Sequence, residues 1–272
     1  MAFVNQNSVS VTALYHYPVK SCAGTGVDHL AADRSGPVHD RRFMVIDRDS
    51  IFLSQRELPQ LALVETEIDN ENPLKISIKA PGMQNLAVPL GPAGERSLAR
   101  IWHDVVEVSE TTPEACKWFS EYLGVRCRLV HLPANATRPV DPDYGRSGDL
   151  TTLADGFPFL VIGESSLEDL NSRLEKPLSM NRFRPNIVVS GTEPYEEDSW
   201  NRIRIGKMEF RVVKPCSRCV ITAVDQSSGE KGKEPLTTLA TYRNSPDGVL
   251  FGQNLIHDGP GNISVGDVVE VS

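Results

Sequence analysis

Arg202-Ile203-Arg204-Ile205-Gly206-Lys207-Met208-Glu209-Phe210-Arg211-Val212-Val213, followed at once by Lys214-Pro215-Cys216-Ser217-Arg218-Cys219, decides how this chain is read. Two short strand candidates, Arg202–Ile205 and Met208–Val213, flank Gly206, which sits where a hairpin turn residue would. Two thiols lie just past the second strand. Working outward, the other apolar runs are also short. Val9–Tyr17 is a strand candidate with Val9, Val11, Ala13 and Tyr15 on one face. Phe43–Ile46, Leu61–Ile68, Leu74–Ile78 and Ile101–Val108 follow, with turn residues between them. In Leu74-Lys75-Ile76-Ser77-Ile78 apolar and polar residues alternate, as in a half-buried strand. After Cys127–Leu132 come Phe159–Ile162, Ile187–Ser190, Val220–Val224 and Val265–Val271. The 19 prolines and 20 glycines are scattered, which suits many strands and turns better than a helical bundle.

Two helices stand out. Thr112-Pro113-Glu114 reads as an N-cap, a first-turn proline and a first-turn acid. Ala115, Trp118, Phe119, Tyr122 and Leu123 then share a face, and Gly124 is a natural stop. The second helix opens on Ser165-Ser166-Leu167-Glu168, a capping-box pattern, with Leu167, Leu170 and Leu174 as its buried stripe. The segment Pro133–Asp149, rich in proline and polar residues, is the best linker or mobile loop. A domain boundary near it divides the chain into residues 1–135 and 136–272. The second half reads as a small β-rich barrel or sandwich with one or two helices.

The length of 272 residues suits about two domains, at roughly 150 residues each. The 28 Lys and Arg against 36 Asp and Glu leave a formal charge of −8. That balance argues against nucleic acid or an anionic membrane as the main partner. Met1–Ser10 carries neither a signal-peptide nor a transit-peptide pattern, and no run approaches the 18 or so apolar residues of a membrane span. The expectation is a soluble, cytoplasmic protein. Five cysteines without a secretory start argue for free thiols in a reducing compartment.

Pro215-Cys216-Ser217-Arg218-Cys219 is the most suggestive local feature. Zinc would need two further ligands with their own spacing, which the scattered histidines and other cysteines do not supply. A redox pair belongs at a helix N-terminus, whereas Val220–Val224 looks like a strand. Two small buried hydrophobes at a strand end is the plain alternative. Arg218 between the thiols leans toward function, because a nearby cation favours a thiolate. Three more clusters carry cations at strand ends: Asn181-Arg182-Phe183-Arg184-Pro185-Asn186, Pro18-Val19-Lys20-Ser21-Cys22 and Asp40-Arg41-Arg42-Phe43. Arginine suits phosphate or carboxylate, and asparagine reads polar heterocycle edges. Solvated loops and ordinary turns are the alternatives. No phosphate-loop or dinucleotide fingerprint is present. Together the clusters suggest a soft thiolate beside an anion-binding pocket, a combination suited to a soft or redox metal.

These clusters match a family. Asn171-Ser172-Arg173-Leu174, Arg182 to Gly191, Glu197-Asp198-Ser199-Trp200 and Cys216-Ser217-Arg218-Cys219 resemble the MOSC (molybdenum cofactor sulfurase C-terminal) proteins. Lys233-Glu234-Pro235-Leu236, Tyr242-Arg243 and Leu250-Phe251-Gly252-Gln253 match as well. Tyr17 to Cys22 and Asp40 to Phe43 resemble the β-barrel domain that precedes MOSC in the branch of amidoxime-reducing components. The resemblance covers nearly the whole chain. It implies an α+β, mostly β fold, with an N-terminal β-barrel-like domain, a C-terminal MOSC β-barrel and a few peripheral helices.

It also implies a molybdenum cofactor. Cys219 would be the metal ligand and Cys216 its non-ligand neighbour. Lys20, Ser21, Arg42, Arg184, Asn186, Ser217 and Arg218 would contact the pterin and its phosphate. Asp155 falls at the position of a family acid that moves protons, or simply caps the turn before Phe157. The implied reaction reduces small N-hydroxylated substrates by N–O cleavage. No cysteine follows Cys219, so no iron–sulfur cluster is expected, and electrons would come from a separate ferredoxin- or flavin-reductase-type protein. The alternatives are a molybdenum-cofactor carrier, a persulfide carrier on Cys216 or Cys219, and a β-rich binding protein with buried thiols. MOSC domains also end cofactor sulfurases, whose partner domain brings pyridoxal phosphate binding; that domain is not recognised here.

Overall fold

The computed structural model describes residues 8–69, 74–91 and 94–272. The reading of Met1–Ser10 as free of a leader falls mostly on residues outside these. The fold is mostly strand, as expected. Its largest sheet runs in the order Thr25–Val27, Ser10–His16, Ile187–Ser190, Phe159–Gly163, Gly248–His257, Met208–Ser217, Arg202–Ile205, Val269–Val271. A short strand, Asn244–Ser245, pairs with Gly248–His257 off this path. The first described strand thus lies in the sheet that the second half of the chain completes. A bridge from Ser10 to Val268 ties the last strand toward the first, with Val11 N–H on the Asp267 carbonyl at 2.9 Å. The ends approach without a continuous ladder. Val11, Leu14, Phe159, Ile187, Ile203, Phe210 and Leu255 fill the core inside this curl.

The neighbours on this path pair antiparallel, apart from Phe159–Gly163 and Ile187–Ser190, which run parallel. A parallel pair needs a crossover, and the helix Glu164–Ser172 lies in that connection. Its start differs from the capping-box expectation. The N-cap lies two residues earlier, at Gly163, with no side-chain cap. Ser166 instead hydrogen-bonds the buried Glu197 carboxylate, and Ser165 bonds Thr192, so tertiary contacts override the local cap.

The described residues between 43 and 131 build the other body. Phe43–Asp47, Cys127–His131, Asp104–Glu110 and Arg96–Ile101 form one sheet, and Glu65–Asp69, Lys75–Lys79 and Leu86–Pro89 another. The helix Pro113–Leu123 lays Ala115, Trp118, Phe119 and Leu123 on a shared core with Phe43, Val45, Ile76 and Leu129. Its cap is as read: Thr112 Oγ1 accepts from Ala115 N–H, and Gly124 stops the helix at φ +67°. Full burial of a ring such as Phe119 contributes about 1.5–3 kcal/mol.

Several strand expectations are corrected. Ile101–Val108 straddles a hairpin turn at Trp102-His103, between Arg96–Ile101 and Asp104–Glu110. Residues 59–63 form a 3-10 turn, and the strand begins only at Glu65. In Ser10–His16 a register shift between Val11 and Ala13 changes the buried face, so Val11, Leu14 and His16 point inward and Ala13 and Tyr15 do not. Val265–Val271 is a turn followed by a short strand, Val269–Val271. Val220–Ala223 is a 3-10 turn capped by Cys219, not a strand.

Candidate functional site

Pairing in the large sheet brings the functional loops together. Leu14 pairs with Ile187, so the end of the first strand, which leads to Lys20 and Ser21, lies beside the start of the strand after Asn186. Val161 also pairs with Ile187, which brings the Asp155 loop to the same side. The long strand Met208–Ser217 carries two register irregularities and delivers Cys216 to Cys219 at its end. One cavity results. It is lined by Lys20, Ser21, Asp155, Arg184, Asn186, Ser217, Arg218 and Cys219, all anticipated from sequence, and by Arg41 and Arg56.

Cations outnumber anions in this lining: Lys20, Arg41, Arg56, Arg184 and Arg218 against Asp155. Lys20 is buried and its Nζ meets Asp155 Oδ1 at 2.6 Å. Burial pulls its ammonium down to about 8, against the opposing charge and hydrogen bond of Asp155. Asp155 is crowded, which alone would raise its carboxyl. The charge and hydrogen bond of Lys20, then Arg56 and the Trp102 indole N–H, outweigh that and hold it well below the carboxylate range. Its side chain is 63% exposed, and it lines the cavity.

Tyr17 organises two of the arginines. The Arg41 and Arg184 guanidiniums lie 4.1 and 4.3 Å from its ring centroid, and its hydroxyl donates to the Pro185 carbonyl at 2.9 Å. Arg184 donates to the Cys22 carbonyl at 2.6 Å, and burial lowers its guanidinium to about 10. Arg184 Nη2 and Arg218 Nε are buried without a partner among the described residues. Such donors are costly to leave unmet, so the cavity is set up to receive acceptor atoms. Ser21, Arg41 and Arg184 all have positive φ, at 68°, 45° and 56°, a strain that clusters at ligand sites.

The two thiols have different neighbours. Arg218 Nη1 contacts Cys216 Sγ at 2.8 Å, whereas Arg56 Nη2 donates to Cys219 Sγ at 3.1 Å. Both thiols are half-buried rather than sealed in the core. Among the described residues no three His, Cys, Asp or Glu side chains group to hold a metal, so a four-ligand zinc site is not assembled. Cys216 and Cys219 both line the cavity, so a metal here would draw on this pair and bring its other ligands.

Two anticipated contacts are placed differently. Arg42 does not line the cavity; it pairs with Asp33, and Arg41 takes its place. Asn186 lines the cavity, but its amide is engaged, accepting from Leu160 N–H and Arg41 and donating to the Tyr15 carbonyl and Asp40. Ser217 donates to the Asp247 carbonyl at 2.7 Å and keeps acceptor capacity. Arg56 was missed from sequence. Its signal is tertiary: it arrives from the first half of the chain, and no motif surrounds it.

Residues 149–270 match the MOSC domain, and residues 8–126 match the MOSC N-terminal beta barrel domain. The chain is 34% identical to mitochondrial amidoxime-reducing component 1 of Mus musculus, over 96% of this chain and 81% of that protein. The Homo sapiens protein of the same name is 35% identical, over 96% and 82%. The chain belongs to the MOSC family. As a MOSC protein it is also 32% identical to the Homo sapiens molybdenum cofactor sulfurase, over 91% of this chain and 30% of that protein. Among the described residues of this MOSC protein, no helix is long and apolar enough to cross a membrane.

Proposed function

We propose that this chain binds a molybdenum cofactor and reduces small N-hydroxylated compounds, such as amidoximes, hydroxylamines and N-hydroxylated bases. In this reading it works in the cytoplasm and takes electrons from a separate ferredoxin- or flavin-reductase-type protein. The observation that carries the reading is one cavity lined by two half-buried thiols, Cys216 and Cys219, among cations, with two buried guanidinium nitrogens lacking acceptors among the described residues. A pterin dithiolene that ends in a phosphate needs such donors and one protein thiolate, so the residues fit the group. Lys20, Ser21, Arg41, Arg184, Ser217 and Arg218 would hold the pterin and phosphate, and Cys219 the metal. When bound, the cofactor supplies the electron pair that cleaves the N–O bond.

The remaining work falls to the chain. Lys20 Nζ, lowered to about 8, holds a proton it can release near neutral pH. Asp155 stays ionised beside it and accepts through Oδ1, so the pair joins a proton to a fixed negative charge at the cavity wall. Asp155 thereby acts through its charge: it holds the Lys20 ammonium from which a proton moves, and is too acidic to carry the proton itself. Arg56, bonded to Cys219 Sγ, orients the sulfur.

The sulfurase relative favours a second reading, transfer of the cofactor or of a persulfide. Protein from a cofactor-competent host distinguishes the readings. The reductase reading expects bound molybdenum, released pterin, and benzamidoxime reduction with a chemical reductant. Cofactor without turnover favours a carrier, and an adduct of about 32 Da on Cys219 favours sulfur transfer. Absence of both metal and pterin overturns the cofactor reading.

A further inference from the structure

Trp102 is out of place for a purely structural tryptophan. Trp118 and Trp200 are 7% and 4% exposed, whereas Trp102 is 43% exposed. It sits in the turn between Arg96–Ile101 and Asp104–Glu110 with φ +55°, a conformation that bulky side chains avoid. The indole is nonetheless held firmly. Its Nε1–H donates to Asp155 Oδ1 at 3.2 Å, the Arg56 guanidinium lies 4.4 Å from its ring centroid, and Phe52 packs edge-on at 5.0 Å. Asp155 and Arg56 both line the cavity, and Arg56 also donates to Cys219 Sγ. The indole is therefore one guanidinium away from the thiol.

We propose that Trp102, which does not line the cavity itself but contacts its Asp155 and Arg56, is a substrate-stacking wall beside the cavity, selecting flat, conjugated N-hydroxylated compounds over aliphatic ones. The inference rests on the reductase reading above. Arg56 covers one face of the ring, and the exposed indole surface is free to stack on an aryl or purine ring. Asp155 adds orientation. Both of its donors, Lys20 and Trp102, fall on Oδ1, and Oδ2 takes no donor among the described residues. An amidoxime amino group can donate to Oδ2 while its ring lies against the indole.

The test compares wild type, Trp102→Ala and Trp102→Phe on benzamidoxime and acetamidoxime, with a chemical reductant. Trp102→Ala is expected to raise KM for benzamidoxime roughly 3- to 10-fold. Trp102→Phe restores most of the loss, and KM for acetamidoxime changes several-fold less than KM for benzamidoxime. Equal changes for both substrates, or none for either, overturn the proposal. Fluorescence gives a second readout that needs no turnover. Benzamidoxime is expected to quench wild-type tryptophan emission, acetamidoxime is not, and Trp102→Phe abolishes the quenching. If wild type reduces neither substrate, the reductase reading fails, and this quenching pattern alone still supports a stacking site. Without that pattern the site is refuted as well.

Discussion

Lys20 Nζ lies 2.6 Å from Asp155 Oδ1, and the two partners sit in unlike surroundings: the lysine side chain is 5% exposed and the aspartate 63%. The pair is therefore asymmetric. Removing the aspartate strands a buried cation, whereas removing the lysine leaves a carboxylate that water reaches.

Asp155→Asn is expected to destabilise the protein by about 1–3 kcal/mol at pH 7, and Lys20→Met by less than about 1 kcal/mol. Urea denaturation of the two variants measures the difference. Equal costs would show that burial of Lys20 is not what makes the pair matter.

The same burial gives a pH signature. Folded Lys20 titrates near 8, below the ordinary 10.5. Between those values the unfolded chain binds the extra proton, so stability should rise with pH across that window. Asp155 is shifted below its ordinary 3.8, so its stabilisation is present above that value and lost as pH falls below it. Stability curves of wild type and Lys20→Met separate the terms. The rise above pH 8 should shrink in the variant.

The two thiols should separate in function. Cys219→Ser is expected to lower benzamidoxime reduction at least about 100-fold, and Cys216→Ser to change it by less than about 3-fold. Rates should be read with molybdenum content in each protein. A Cys219→Ser protein that keeps both metal and normal turnover would remove Cys219 as the ligand.

How much was legible varies by element, for physical reasons. The Pro113–Leu123 helix was readable because its signals are local: a capping threonine, a first-turn proline, apolar spacing and a stop glycine. Thr112→Ala should cost about 1 kcal/mol in urea denaturation and leave turnover unchanged. The thiols, Lys20, Arg184 and Asp155 were also readable, since short motifs carry them. Arg56 and Trp102 were not, because long-range packing brings them to the site, and within the flagged pair Arg41-Arg42 the other arginine proved to face the cavity. The run Val220–Val224 misled for the opposite reason: apolar β-branched residues read as a strand, while Thr222 N–H and hydroxyl both bond the Cys219 carbonyl and close a tight turn.

Gly24 carries the last prediction. A Cβ there would lie 2.2 Å from the Tyr17 ring, whereas at Gly26 the nearest atom would be 3.6 Å away, ordinary contact. Tyr17 is buried, with the Arg41 and Arg184 guanidiniums against its ring and its hydroxyl anchored to Pro185. The ring has little room to yield without breaking those contacts. Gly24→Ala should therefore cost about 1–3 kcal/mol and lower the molybdenum content of the purified protein, while Gly26→Ala should cost less than about 1 kcal/mol. Thermal unfolding and metal analysis of the pair check this. A Gly24→Ala protein as stable and as fully loaded as wild type would mean that the Tyr17 stack does not hold the two guanidiniums in the cavity wall.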